Sequence, residues 1–236
     1  MPLPKVPLRL LGQLERYHLW WWSRQIRKRP IVTDWNVRLN AIFVHIPKTA
    51  GTTLLEILGA DPVFDTHAPA VTYRQADARL FDRAFKFTVV RNPWDRFAST
   101  FHFMKVGTDW PMQQEWADHH IGDLDFAGFV MKLRKPLFRE IVLSERFFWP
   151  QHFWIEDRQG TTLVDEIYRF EDLATALPAI AARLGIKLPA AIPKRRESKR
   201  PLRSSMYNDP VMIELVGQLY AEDIARFGYR FDDVAA

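Results

Sequence analysis

Ala41-Ile-Phe-Val-His-Ile-Pro-Lys-Thr-Ala-Gly-Thr-Thr-Leu54 is the stretch on which the reading of this 236-residue chain turns. Ala41 to Ile46 is a short apolar run stopped by Pro47, the pattern of a buried strand. Thr52 to Leu58 reads as a helix ended by Gly59. The loop between them meets a helix N-terminus, where backbone N–H groups lack intrahelical partners and carry partial positive charge. Such a place binds anions. Gly51 is expected to let the backbone come close to a phosphate. Thr52 and Thr53 add hydroxyl donors, and Lys48 adds a point charge at the mouth. The spacing is not that of the triphosphate loop G-x-x-x-x-G-K-[ST], because Lys48 precedes the glycine by three residues. No clear acid ends a later strand to hold magnesium.

Working outward, Phe85-Lys-Phe-Thr-Val-Val90 reads as a second strand. Asn92 and Pro93 have the residue types of a helix N-cap and first helical position, and the helix is predicted to run to about Met104. Arg91 then sits where strand becomes helix. Ser99 follows eight residues later, about two turns along and near the same face. A guanidinium fork and a hydroxyl placed so can share one terminal phosphate. Arg96 competes for that role, but a surface residue paired with Asp95 or another acid is the favoured reading for it.

Helices are further predicted over 69–84, 125–133, 173–184 and from Asp209-Pro210 to about Arg226. A third strand is predicted over 161–170, and 188–205 reads as a loop. Residues 106–124 are polar and aromatic without a clear period. Strands alternating with helices imply a parallel sheet with crossover connections. The expected fold class is therefore α/β: a P-loop-like parallel β-sheet flanked by helices, in a single domain over 41–236. Residues 1–40 form a basic, Trp-rich N-terminal helical extension. Within it, Leu10, Leu14, Tyr17 and Trp21 recur at helical spacing over 8–29. That helix either packs on the main domain with a solvated basic face, the commoner case, or docks peripherally on a membrane or partner.

The pair His45-Ile-Pro-Lys-Thr-Ala-Gly-Thr-Thr53 and Val90-Arg-Asn-Pro-Trp-Asp-Arg-Phe-Ala-Ser99 resembles the signatures of sulfotransferases that use PAPS (3′-phosphoadenosine 5′-phosphosulfate). The likeness is greatest to the carbohydrate type, which includes the heparan 2-O-sulfotransferases and bacterial relatives. It runs from about Phe43 to Tyr229 and takes in Arg169-Phe-Glu-Asp-Leu173 and Asp223-Ile-Ala-Arg-Phe-Gly-Tyr229. The resemblance implies that Lys48, Thr49, Ala50, Gly51, Thr52 and Thr53 hold the 5′-phosphosulfate. Arg91 and Ser99 would clamp the 3′-phosphate. The family often has glycine where this chain has Ala50, a change tolerated unless that residue's φ is positive. A histidine between the two motifs is the family's usual proton acceptor, and His67 in Asp65-Thr-His-Ala-Pro-Ala70 occupies that interval. Imidazole titrates near neutrality and suits the role. The implied reaction moves a sulfuryl group in line from PAPS to a carbohydrate hydroxyl. His67 and Lys48 would be its catalytic residues, and it would need no metal.

Other residues carry blander readings. His45 alternates within a strand and is expected to be packed behind the site. His119 and His120 are adjacent and point in different directions, which favours a solvated loop over a metal site. Lys194, Arg195, Arg196, Lys199, Arg200 and Arg203 form a basic run that is either a flap over the cofactor phosphates or a solvated stretch. Trp110, Trp116, Trp149 and Trp154 fall in the less regular region where an acceptor groove is expected.

Composition bounds these readings. Apolar residues make up 47% and charged residues 26%, an ordinary globular mix. No cysteine is present, which excludes disulfides, thiol nucleophiles and thiolate metal sites. The net charge is +5, yet residues 1–40 hold eight Lys and Arg against two acids, leaving the remainder with 25 against 26. The excess is local and does not argue for a nucleic-acid coat. With no run of about 18 apolar residues and no signal-peptide pattern, the expectation is a cytoplasmic protein, with membrane association through 8–29 as the variant reading. Two rival functions remain: a nucleotide kinase or triphosphatase with a variant loop, and a non-catalytic anion- or membrane-binding protein.

Overall fold

A computed structural model describes residues 31–60, 67–108, 111–189 and 203–233. The helix predicted over 8–29 and most of the basic run 194–203 lie outside them.

The centre is a parallel three-stranded sheet in the order β1 (Ala41–Val44), β2 (Phe85–Val90), β3 (Glu166–Arg169). Ala41 pairs with Phe85 and Phe87 with Glu166, all parallel. Successive side chains of a strand point to opposite faces. Ile42 and Val44 accordingly pack with Leu80, Phe81 and Trp154, while Phe43 packs with Leu54, Phe87 and Ile180. Both faces of β1 are buried, which explains why its sequence is uniformly apolar rather than alternating. The protein has a mixed α/β fold with a small parallel sheet flanked by helices.

Helix α1 (Asp34–Leu39) leads into β1, and its Trp35 joins the core beside Phe43. Helix α2 (Gly51–Ile57) follows β1. The single helix predicted over 69–84 is two, α3 (Ala70–Ala76) and α4 (Ala78–Arg83). Asp77 divides them in an extended conformation, and its carboxylate accepts from the Leu80 N–H at 2.9 Å as the second helix's N-cap. Helix α5 (Pro93–Val106) begins as predicted, with the Asn92 side chain accepting from Trp94 N–H and Pro93 in the first turn.

The unassigned middle holds α6 (Pro111–His120), which places His119 and His120 in a last helical turn rather than a loop. Helix α7 (Phe126–Lys132) precedes α8 (Pro136–Ser144), which the sequence pattern did not separate out. These pack with α5 and α11 (Pro210–Leu219) in a second core built on Phe97, Phe129 and Phe148. The third strand is shorter than its predicted span. Thr162 instead bridges Glu156 antiparallel, and Asp157 caps the intervening turn by accepting from Gln159 and Thr161 N–H at 3.0 Å. Helix α9 (Leu173–Leu184) ends at Gly185 as predicted. Arg203–Met206 forms a short helix, α10, at the end of the span read as loop. The last predicted helix breaks at Tyr220 into α11 and α12 (Ala221–Phe227).

Because the strands are parallel, the segments that follow β1, β2 and β3 leave from the same edge of the sheet. In open α/β sheets that edge is where ligands bind.

Candidate functional site

The segment after β1 is unusual in its backbone. Lys48 and Ala50 both take left-handed φ, at 70° and 67°. Ala50 thus meets the one condition under which alanine in place of glycine is strained. Thr49 between them is fully buried, and its hydroxyl donates to the Ile46 carbonyl at 2.8 Å. Thr49, which the resemblance places in the phosphosulfate loop, thus fastens the turn through its hydroxyl. Thr52 and Thr53 stand half-buried in the first turn of α2.

Gly51 has a steric role beside the one expected of it. A Cβ there would fall 1.9 Å from the His45 imidazole, so the missing side chain makes room for a buried ring. His45 stacks at 5.6 Å on Phe43 and lies 4.1 Å, centroid to centroid, from the ring of His67.

His67 itself sits at φ 45°, again left-handed. Its Nδ1 is 3.2 Å from the His45 carbonyl oxygen. A carbonyl only accepts, so Nδ1 carries the hydrogen and Nε2 holds the lone pair of the neutral ring. The imidazole meets Phe147 edge-on at 5.4 Å. Phe147 stacks on Phe103 at 5.4 Å, and Lys48 Nζ lies 4.4 Å from the Phe103 centroid. Lys48 and His67, 19 positions apart in the chain, thus border the same two-ring wall.

Arg91, at the end of β2, is held on several sides. Its Nε donates to Asp95 at 2.7 Å, its Nη2 also pairs with Asp95, and its Nη1 donates to the Lys48 carbonyl at 3.1 Å. The guanidinium lies 4.1 Å over the Phe170 ring. The clamp candidate and the loop are therefore joined directly. Ser99 is buried on α5, one turn beyond Asp95 and on its face.

Arg96 overturns its expected reading. It is 2% exposed rather than a surface residue, and Asp95 pairs with Arg91 instead. Its Nε donates to the Pro47 carbonyl at 3.0 Å, Nη1 to Trp149 at 2.8 Å and Nη2 to Phe147 at 2.9 Å. Burial lowers its pKa, which still leaves an arginine charged at neutral pH. One side chain ties the loop before Lys48 to the segment carrying the aromatic wall.

That segment is anchored again behind the site. Gln151 exchanges two 2.8 Å hydrogen bonds with the Arg91 backbone. Asp223, fully buried, accepts from the N–H groups of Gln151 and His152 at 2.7 and 3.0 Å, and its Oδ1 is 2.7 Å from His152 Nδ1. Asn92 N–H donates to Glu171 at 2.8 Å, and Glu171 also accepts from the Tyr229 hydroxyl at 2.9 Å. Burial, with the Glu171 carboxylate adding to it, pushes the Tyr229 phenol well up. Sequence patterns did not single out Gln151, Asp223 or Glu171 individually, since each acts through contacts 58 to 79 positions away. Asp95 alone had a local signal, its four-residue spacing from Arg91.

Among the described residues, one group has metal-ligand character. His152, Glu156 and Glu222 bring ligand atoms within 4.8 Å of one another. Arg226 already pairs with Glu156 there. His119 and His120 belong to no such group. No described helix is long and apolar enough to cross a membrane.

Residues 34–230 match the model of a family described as the sulfotransferase family. Neither the search of curated proteins nor that of solved structures returned a match. The match covers both motif segments, the aromatic wall and the Asp223 anchor, and the chain belongs to the sulfotransferase family.

Proposed function

We propose that this protein transfers a sulfuryl group from PAPS to a hydroxyl of a carbohydrate acceptor, with His67 as general base. The observation that carries the proposal is the convergence of three chemically distinct groups. Lys48 and His67 border one Phe103–Phe147 wall, and Arg91 is hydrogen-bonded to the Lys48 carbonyl. Family membership supports the sulfuryl-transfer class.

In this reading the loop Lys48–Thr53 is P-loop-like in use, though not in spacing. Its α2 amides and the Lys48 ammonium bind the 5′-phosphosulfate. Arg91 and Ser99 bind the 3′-phosphate. Asp95 holds the Nε–Nη2 edge of Arg91, Nη1 donates to the Lys48 carbonyl and the guanidinium lies over Phe170, so these contacts fix its orientation toward the 3′-phosphate. The acceptor oxygen attacks sulfur as the bond from sulfur to the bridging phosphate oxygen breaks. His67 Nε2 takes the hydroxyl proton, and adenosine 3′,5′-bisphosphate leaves. Charge grows on the leaving oxygen, where Lys48 and the loop amides stabilise the transition state more than the ground state.

The test is transfer of sulfur-35 from labelled PAPS to a glycan panel. Lys48→Ala is expected to lower turnover about 10²–10³-fold, the scale for one preorganised electrostatic donor. His67→Ala is expected to lower it about 10²–10⁴-fold, as for a lost general base. His67→Ala should still bind adenosine 3′,5′-bisphosphate. Unchanged turnover in His67→Ala removes that residue from the mechanism.

A further inference from the structure

A second cluster of chemistry-bearing side chains takes no part in the reaction above. His152, Glu156 and Glu222 each offer one ligand atom, and these atoms all lie within 4.8 Å of one another. His152 opens the short 3-10 turn His152–Trp154, and Glu156 follows that turn by two residues. Glu222 comes from the first turn of α12.

The His152 imidazole is already set as a ligand. The residue is 5% exposed, and its Nδ1 lies 2.7 Å from Asp223 Oδ1. A carboxylate accepts, so Nδ1 carries the hydrogen and Nε2 of the neutral ring presents its lone pair. That Nε2 makes no hydrogen bond among the described residues; Glu222 Oε2 stands 3.7 Å from it. A buried ring nitrogen is thus left unpartnered and aimed into a pair of carboxylates. An imidazole held through its other nitrogen by a carboxylate is the arrangement behind metal-bound histidines, where it fixes the tautomer and raises ligand basicity.

The carboxylates can complete the set. The Glu156 side chain is 8% exposed, and Arg226 meets it at Oε1. A carboxylate has a second oxygen to give. Two ligands at zinc distances stand roughly 3.3–3.4 Å apart in a tetrahedral site. His152 and Glu222 are within a few tenths of an ångström of that spacing. The Glu222 side chain is 61% exposed, so it can close the remaining gap without moving the core. One imidazole nitrogen with two carboxylates suits an ion of the zinc type, whereas magnesium prefers an octahedron of oxygens.

We propose that His152, Glu156 and Glu222 bind a divalent first-row transition ion of the zinc type, with Asp223 supporting His152 from behind. The ion staples α12 to the segment 151–156. Gln151 of that segment holds the Arg91 backbone through two 2.8 Å hydrogen bonds. The ion therefore stiffens the frame of the candidate site without touching its reacting groups, and the proposal stands apart from the identity of the acceptor.

The experiment is calorimetry and thermal unfolding of the full chain, stripped of metal with a chelator and dialysed free of it. The probes are zinc chloride and, for contrast, magnesium chloride. Zinc at about a hundredfold above its Kd should raise Tm by roughly 5–10 °C. Magnesium should bind at least about tenfold more weakly. Glu222→Gln, at an exposed position, should leave the metal-free Tm nearly unchanged. It should weaken zinc binding at least about tenfold, the scale on which even supporting residues of a metal site act. Arg226→Gln removes the cation that competes for Glu156. Metal-free, that variant should be less stable than wild type; zinc should bind it more tightly and restore its Tm. His119→Ala combined with His120→Ala, outside the group, should change none of these readings. No zinc binding, binding without a rise in Tm, binding indifferent to Glu222→Gln, binding weakened by Arg226→Gln, or binding lost with the two other histidines overturns the site.

Discussion

Replacing Arg96 by methionine isolates the tie between the cofactor loop and the aromatic wall. The side chain is 2% exposed and donates to three carbonyls, those of Pro47, Trp149 and Phe147, at 2.8 to 3.0 Å. Hydrogen bonds from a charged donor contribute about 1.5–3 kcal/mol each, so three contribute roughly 5–9 kcal/mol before costs. Methionine avoids the desolvation of a guanidinium, which amounts to several kcal/mol, and keeps much of the packing volume. The expected net loss is about 3–4 kcal/mol. For a chain of this size that corresponds to a fall in Tm of about 10 °C, at roughly 2–4 °C per kcal/mol. Arg96→Lys should fall between, since one ammonium cannot reach all three carbonyls in the fork's geometry. The assay is chemical denaturation followed by circular dichroism, paired with calorimetry of adenosine 3′,5′-bisphosphate on the folded variants. Because Pro47 precedes Lys48, affinity should fall as well as stability. A loss below about 1 kcal/mol with unchanged affinity would refute the reasoning.

Three further outcomes are expected. Gly51→Ala drives a Cβ to 1.9 Å from a ring confined between Phe43 and His67, so it should cost about 2–3 kcal/mol in denaturation and reduce turnover. Ala50→Gly should instead stabilise by about 0.5–1 kcal/mol, because φ of 67° strains alanine and the gain is offset in part by the entropy of an unfolded glycine; a loss of stability would mean the residue is not left-handed. Burial raises the Glu145 pKa. A carboxyl raised in the folded state binds its proton more tightly there than when unfolded. Stability should therefore decline as pH rises from just above the ordinary glutamate value, about 4.3, through the raised one, and Glu145→Gln should flatten that decline in urea titrations across pH 4–8.

What the sequence revealed, and what it did not, divides along physical lines. Local signals read well: the apolar run at Ala41, the Asn92-Pro93 helix start and the Gly185 stop each depend on a few neighbouring residues. Helix breaks inside long apolar patterns read poorly. Asp77 looks like one more polar position until its carboxylate is seen capping Leu80, and Tyr220 breaks the last helix where its hydroxyl reaches the Phe148 carbonyl at 2.7 Å. The site shows the same division. Lys48, His67 and Arg91 were named from residue type and position; the fold adds that Lys48 and His67 border one aromatic wall and that Arg91 bonds to the Lys48 carbonyl. Arg96 was not, because a buried arginine satisfied by carbonyls leaves no acidic partner in the sequence to mark it. Gly51 had a local signal for close phosphate approach, but only the fold reveals the second reason for it, the His45 ring against it.

The central claim is that Lys48 and Arg91 gather at the sheet edge to hold an adenosine bisphosphate. Calorimetry with adenosine 3′,5′-bisphosphate, set against ATP with magnesium, tests it most directly. The account predicts saturable binding of the bisphosphate without a metal, abolished by Lys48→Ala and by Arg91→Ala, and much weaker binding of ATP. Preferential magnesium-dependent binding of ATP, or bisphosphate binding indifferent to both substitutions, would contradict it.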